Sequence, residues 1–453
     1  MGSTDTSASA SKATGKRRVP AGYVIAAAIV GAIVLGLVGR HLYFRSKINA
    51  ELDAIRKAGF PVTLKELSNY YPVPRGDNAA GVYTQAFAKF TDVTPWGKKL
   101  PVVGSAKLPP RGEPLPEEMK ADISAYLAAN AQALELLHKA AAIEGCRFDV
   151  DFSQGYGAPV PHLSQLRQAA RLLELRALMK VEAGKPDEAA TAIADSFSAA
   201  RALRNEPMLI SQLVRIAVVS ISVNTLERVL AKTTLGDQQL TDLTKAIVCQ
   251  EKQECLRRAM AGERCMGEDL FLNDFSRYGG PGTRHVGTAG LIWKWSGLKG
   301  KDHLTHLKLM GKLVRAASGS EKEMRDLRKD SQNEVEQVAK YYFVTKLVVP
   351  ALPRSLEEQL KAFARLRAAR AGIAVERFRM ANGRLPDSLD ELTPKFLDTV
   401  PADPFDDRPI RYKKLAKGFV AYSIGPDLKD DGGKEFDPGS PSAPYDITFI
   451  VAR

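Results

Sequence analysis

Long apolar stripes with a helical period, separated by short polar or Pro/Gly-rich breaks, fill most of the chain, and only its last fifth changes period. Residues 1–18 hold Ser, Thr and Ala without a stripe and end in Lys16-Arg17-Arg18, which predicts a disordered basic tail. Residues 19–39 follow, 21 positions without a charge. At the helical rise they cover about 31 Å, the thickness of a bilayer's hydrocarbon core, so the pattern predicts a transmembrane helix. The run passes into Arg40-His41-Leu42-Tyr43-Phe44-Arg45 rather than a small-residue cleavage site, which favours a retained signal anchor over a cleaved signal peptide. Ile48, Leu52 and Ile55 continue the stripe to Gly59, and Thr63-Leu64-Lys65-Glu66 has the form of a capping box. After a further helix near 79–91, prolines at 95, 101, 109, 110, 114 and 116 exclude regular helix and central strand. Residues 40–116 therefore read as a stalk and Pro-rich linker.

Residues 117–350 read as a helical domain. Leu163, Leu166, Ala170, Leu173, Ala177 and Val181 form one stripe that Gly184 stops, and Pro186-Asp187-Glu188 opens a second helix with Ala189, Ile193, Phe197 and Ala200 inward. The turn between them resembles the inter-helix turn of tetratricopeptide repeats, although the later small and Pro positions do not recur at 34 residues. Helices near 207–231 and 237–260, joined by Thr233-Thr234-Leu235-Gly236, extend a helical bundle or short repeat-like solenoid. A C-terminal module, 355–453, begins with the capping box Ser355-Leu356-Glu357-Glu358 and a long stripe from Leu360 to Phe378, ended by Asn382-Gly383. A short helix fits 386–392. The period then falls to two on either side of Ala416-Lys417-Gly418, a hairpin, and residues 445–451 supply a third strand. The fold class is mainly α with an α+β ending.

Composition narrows the partners. With 453 residues, 45% hydrophobic, and a mean hydropathy of −0.19, the chain is neither wholly disordered nor a polytopic membrane protein. A net charge of +13 gives the chain a basic surface. The excess concentrates in 284–315, where Arg284, Lys294, Lys299, Lys301, Lys308, Lys312 and Arg315 face the single acid Asp302. Trp293, Lys294, Trp295, Lys299 and Lys301 form a candidate surface for an anionic lipid headgroup layer, where each charge contributes about 1 kcal/mol. The same residues would suit nucleic-acid phosphates, the weaker reading, or a solvated helix with its Trp pair turned inward. Asp302-His303-x-x-His306 puts two imidazoles on one helix face, but no third ligand accompanies them and the flanking lysines repel a cation. Cys146, Cys249, Cys255 and Cys265 show no zinc spacing and read as buried or incidental thiols. The Gly-rich stretch 277–290 lacks the order of a phosphate loop. Four basic residues before the apolar run against three after it lean towards an N-terminus on the inside, and Ala28, Ala32 and Gly36 would let two anchors approach as a homodimer.

The C-terminal residues carry a resemblance. Glu376-Arg377-Phe378-x-x-Ala381-Asn382-Gly383-Arg384-Leu385-Pro386, Leu389-x-x-Leu392, Val400-Pro401-x-Asp403-Pro404-Phe405, Ile410-x-Tyr412 and Tyr422-Ser423-x-Gly425-Pro426-Asp427 are similar to the globular part of the type II secretion major pseudopilin. The resemblance covers about 80 residues. It implies calcium bound by the loop after this last motif, where Asp427, Asp430 and Asp431 stand beside Gly432 and Gly433 as the matching acids; clustered carboxylates suit a hard cation. An exposed acidic turn is the alternative. A pseudopilin's membrane helix carries a Glu and joins its globular part directly, whereas this anchor has no acid and lies more than 300 residues upstream, so pseudopilus polymerisation does not follow. The whole arrangement also resembles long planctomycete-type bacterial envelope proteins.

The leading expectation is a non-catalytic single-pass protein of the bacterial inner membrane, with its large C-terminal part in the periplasm, that makes protein contacts and is linked to a secretion-type assembly. A membrane-tethered hydrolase with dispersed acids in the helical domain is the second, and basic membrane-surface or nucleic-acid binding through 284–315 the third.

Overall fold

The computed structural model describes residues 20–273, 296–336, 342–437, 439–440 and 443–453. The chain is mainly helical, with one small sheet and an apolar helix near its N-terminus. That helix, α1 (Ala21–Lys57), is longer than the apolar run, about 56 Å at the helical rise. The large apolar side chains from Tyr23 to Val38 are exposed, and this part is long and apolar enough to cross a membrane. Beyond it Ile48 and Leu52 pack on Ile55, Val62 and Leu307. The helix stops where Gly59 takes a positive φ and Phe60 N–H returns to the Ile55 carbonyl at 3.2 Å.

Residues 60–116, expected as stalk and linker, are built into the body instead. Helices α2 (Leu64–Tyr70) and α3 (Ala79–Phe87) and the proline-rich strap that follows bury Leu67, Tyr71, Tyr83, Leu100 and Leu115 in the main core. Prolines forbid regular structure but not burial. The strap's polar backbone finds partners in side chains, Pro109 carbonyl accepting from Arg228 and Leu115 N–H donating to Glu182.

The body continues with α4 (Glu117–Ala129), α5 (Ala131–Ala141), the hairpin α6 (Pro161–Glu182) and α7 (Pro186–Arg201), and α8 (Leu209–Leu230). Helix α8 is also long and apolar enough to cross a membrane, but most of its apolar stretch is buried inside the body, as in a core helix. The expected 237–260 helix is two, α9 (Asp237–Gln250) and α10 (Glu254–Leu272). Gln250 donates to the Phe197 carbonyl, and Glu251 pairs with Arg367 at 3.2 Å, so the chain turns there and α10 enters the core. Helices α11 (Leu298–Ala316), α12 (Glu321–Glu336) and α13 (Phe343–Val348) follow.

Helix α14 (Leu352–Asn382) begins three residues before the expected box, because Pro353 fits a first turn and Ser355 Oγ bonds the Leu352 carbonyl. It packs on an antiparallel sheet of order β1-β2-β3: β1 (Arg411–Lys414), β2 (Phe419–Ser423) and β3 (Ile447–Val451). The register pairs Tyr412 with Ala421 and Ala421 with Phe449. Gly372 makes this contact possible, since a Cβ there would lie 2.3 Å from the buried Phe449 ring. The expected helix at 386–392 is only a short 3-10 turn, Leu389–Leu392. Asp403, fully buried, accepts from Phe405 N–H, Ser423 Oγ, Ile424 N–H and Arg411, tying two of the quoted C-terminal motifs together. One continuous core runs from Leu64 to Val451, so the helical body and the C-terminal module share it.

Candidate functional site

Glycines beside the basic residues singled out in the sequence meet α1. Gly297, at positive φ, precedes α11, and a Cβ on it would lie 2.7 Å from Arg40 Nε; a Cβ on Gly300 would lie 2.7 Å from Phe44. Arg40 is the first charge after the apolar run, so the first turn of α11 sits where the chain leaves that run. This puts Lys299 and exposed Lys301 on the same end of the molecule as exposed Arg45 and Lys47 of α1. Trp293, Lys294, Trp295, the 1–18 tail and the Gly-rich stretch 277–290 lie outside the described residues. Ala28, Ala32 and Gly36 lie on the apolar part of α1, and a Cβ on Gly36 would meet nothing within 4 Å.

Beneath that surface α10 and α11 bury a polar cluster. His303 Nε2 pairs with Glu268 at 2.5 Å and stacks on Phe271, ring centroids 4.3 Å apart. Asp302 caps α13, taking Val344 N–H at 3.1 Å and Thr345 N–H at 3.2 Å. His306 is wholly buried against Gly267, and neither ring nitrogen has a partner. Burial first, then the nearby His303 and Arg264, pushes its pKa down to about 3. Histidine spacing thus serves helix packing: one imidazole takes a carboxylate, the other is a neutral core ring.

In the C-terminal loop the three acids part company. Asp427 turns back onto Lys429 N–H; Asp430 accepts from Tyr422 OH at 3.1 Å and Gly432 N–H at 2.9 Å; Asp431 lies beside buried Asp446, which takes Asp431 N–H and Gly433 N–H. Asp431 Oδ2 is buried and partnerless. Among the described residues no group of three or more His, Cys, Asp or Glu side chains is poised to hold a metal ion.

Other polar sites have no local sequence signal. Glu206, fully buried on the connection between α7 and α8, accepts from Tyr71 OH and Ser211 Oγ and pairs with His162 Nε2 at 3.0 Å. Its partners come from α6, α8 and the residue after α2, so only tertiary structure reveals it. Burial pushes the Glu174 and Glu227 carboxyls up to about 7, and the nearby Arg228 and Arg111 respectively oppose the rise. Glu227 is committed to holding Ile450 N–H of β3 at 2.6 Å. Neither acid lines the open groove of about 480 Å³ between α4, α5 and α6, where His138 meets Asp195 at 3.0 Å. The four thiols are unbridged, and burial pushes Cys146 and Cys265 up to about 12.

No family model, curated protein or solved structure was found to match the chain.

Proposed function

We propose that the protein is a non-catalytic, single-pass membrane protein of the bacterial envelope whose helical body is held flush against an anionic bilayer face and makes protein contacts from there. The observation that carries this reading is the unbroken passage of α1 from an apolar span into packing on α11, through Phe44 on Gly300 and Ile55 on Leu307. A helix without a hinge keeps the body close to the point of exit, and that end bears Arg45, Lys47, Lys299 and Lys301. The hydrolase reading draws less support, because Glu174 and Glu227, carboxyls that burial pushes up to about 7, lie inside the core, where Glu227 holds Ile450 N–H.

The test is depth quenching. A fluorophore on Lys301→Cys in a Cys249→Ser background, where the remaining thiols are buried, is read in vesicles carrying headgroup-level quenchers. Strong quenching in phosphatidylglycerol, reduced by Lys299→Glu, is expected; equal weak quenching in phosphatidylcholine and phosphatidylglycerol overturns the reading. An exported-enzyme reporter fused after Arg453 tests the periplasmic side.

Calcium at the Asp430–Asp431 loop belongs to the proposal because Asp431 Oδ2 is buried without a partner beside Asp446. A rise in the unfolding midpoint with calcium over chelator, lost in Asp431→Asn, is the expected outcome. No rise refutes it.

A further inference from the structure

The groove between α8 and α14 has the makings of a ligand site. Leu213, Ile216, Ala217 and Ser220 line it from α8, at spacings that share one helix face. Glu358, Lys361, Ala362 and Arg365 line it from α14 in the same way, and Tyr445 and Ile447 close it near the start of β3. Its volume is about 360 Å³, at the small end of ligand pockets, and its walls mix aliphatic and polar groups.

Arg365 is the group that needs explaining. Its Nη1 donates to Ser220 Oγ at 2.7 Å, and Ser220 Oγ donates onward to the Ile216 carbonyl at 3.0 Å, so the hydroxyl is a fixed acceptor. Among the described residues no carboxylate comes within 4.0 Å of this guanidinium. Other half-buried arginines of the same helix differ: Arg367 holds Glu321 and Glu251, and Arg377 holds Asp237 at 2.7 Å. Burial lowers the Arg365 pKa from its ordinary value, with Glu227 and Glu358 opposing from a distance. A guanidinium presents five donors in a planar fork; one goes to Ser220 here, and the residue that carries the fork lines the groove.

We propose that this groove binds a carboxylate carried next to a small apolar group, with Arg365 as its anchor. The charge count points to a monoanion. Lys361 is already paired with Glu357 at 2.8 Å and Glu358 at 3.0 Å, so one positive charge is left for the ligand, too little for a phosphate dianion beside Glu358. Bidentate pairing satisfies the guanidinium fork. Leu213, Ile216, Ala217 and Ile447 then receive a branched aliphatic or aromatic group attached to the same carbon. An amino-acid residue with a free α-carboxylate has this chemistry, whether as a small acid or as the end of a polypeptide.

The test uses the full chain in detergent micelles and calorimetric titration with N-acetyl-leucine, N-acetyl-leucinamide, a pentapeptide ending in leucine, and inorganic phosphate. Saturable binding of the leucine acid is expected, with none of the amide, and Arg365→Gln weakens it at least about tenfold, the cost of a charged hydrogen-bonding partner. Ala217→Leu fills the groove while leaving Arg365 in place, and it abolishes binding in a chain whose unfolding midpoint is unchanged. A pentapeptide that binds more tightly than the single residue assigns the site to a chain end; a pentapeptide that does not bind assigns it to a free acid. Equal binding of acid and amide, binding unaffected by either substitution, phosphate binding as tight as the acid, or no binding by the wild type overturns the proposal.

Discussion

His306 contributes an acid sensitivity to this fold that can be isolated from the rest. Its imidazole is buried among Gly267, Phe271 and His303, with neither nitrogen bonded, while Arg264 and His303 add positive potential and Glu268 is spent on His303. In the unfolded chain it titrates near the ordinary histidine value of 6.5; in the fold the pKa is about 3. Below 6.5 the unfolded state therefore binds a proton that the native state refuses, and stability falls as pH falls. At about 1.36 kcal/mol per unit this costs about 2 kcal/mol at pH 5 and levels off at about 5 kcal/mol near pH 3. Glu174 and Glu227, with native pKa values about 7, act with the opposite sign, because the native state takes up their protons first and gains stability between pH 7 and their unfolded value of 4.5. The wild-type profile alone is thus a sum of opposing slopes. His306→Leu isolates one of them: leucine is of similar size, does not titrate, and leaves no unsatisfied nitrogen. Urea unfolding followed by circular dichroism, on both proteins from pH 7.5 to 4, should show the leucine variant at least as stable at pH 7.5. Its advantage should grow by about 2 kcal/mol by pH 5. Parallel profiles would refute the argument, since they would mean that His306 is protonated in the fold or is not buried in it.

Three further substitutions probe other joints. Gly372→Ala brings a methyl into the space of the Phe449 ring and should destabilise the chain by about 1–3 kcal/mol, read as a lower unfolding midpoint, whereas Ala371→Gly beside it lacks that clash. Glu206→Ala strands buried His162, Tyr71 and Ser211 and should cost about 3–5 kcal/mol, with Glu206→Gln, which keeps an acceptor, costing clearly less. Gly300→Leu drives a side chain into Phe44 and should lever α1 off α11, so that limited proteolysis cuts between 58 and 62 in the variant before it cuts the wild type.

Local pattern served where length and period along one segment decide the element. The apolar run at 19–39, the 163–181 stripe and the 419–423 segment each name an element that is present: the first by an uncharged length, the second by one buried face written at a helical period, the third by a short apolar run, although both faces of that strand are buried. It misjudged the prolines of 95–116. Proline reports which backbone shapes are forbidden, not whether the side chains between find a core, and Leu100 and Leu115 do. It also ran α9 into α10, because a turn at 250–253 made by Gln250 bonding Phe197 and Glu251 bonding Arg367 depends on residues 53 and 116 positions away.

Polar sites are harder still, and α8 shows why. Its sequence reads as an apolar helix, yet it buries Gln212, Arg215, Thr225 and Glu227, each at a position where an apolar residue would have fitted the stripe. What makes these positions tolerable lies far along the chain: Gln359 of α14 meets Arg215 at 3.3 Å, and Ile450 of β3 meets Glu227 at 2.6 Å. The same holds for the α14 groove. On paper Glu358, Lys361 and Arg365 are the solvated side of a helix, and two of them behave as such by pairing with each other. Arg365 becomes something else only because the helix opposite it carries Ala217 and Ser220, small enough to leave room, and offers a hydroxyl instead of a carboxylate. A binding group here is defined by what its neighbour lacks, and no spacing along a single segment encodes that.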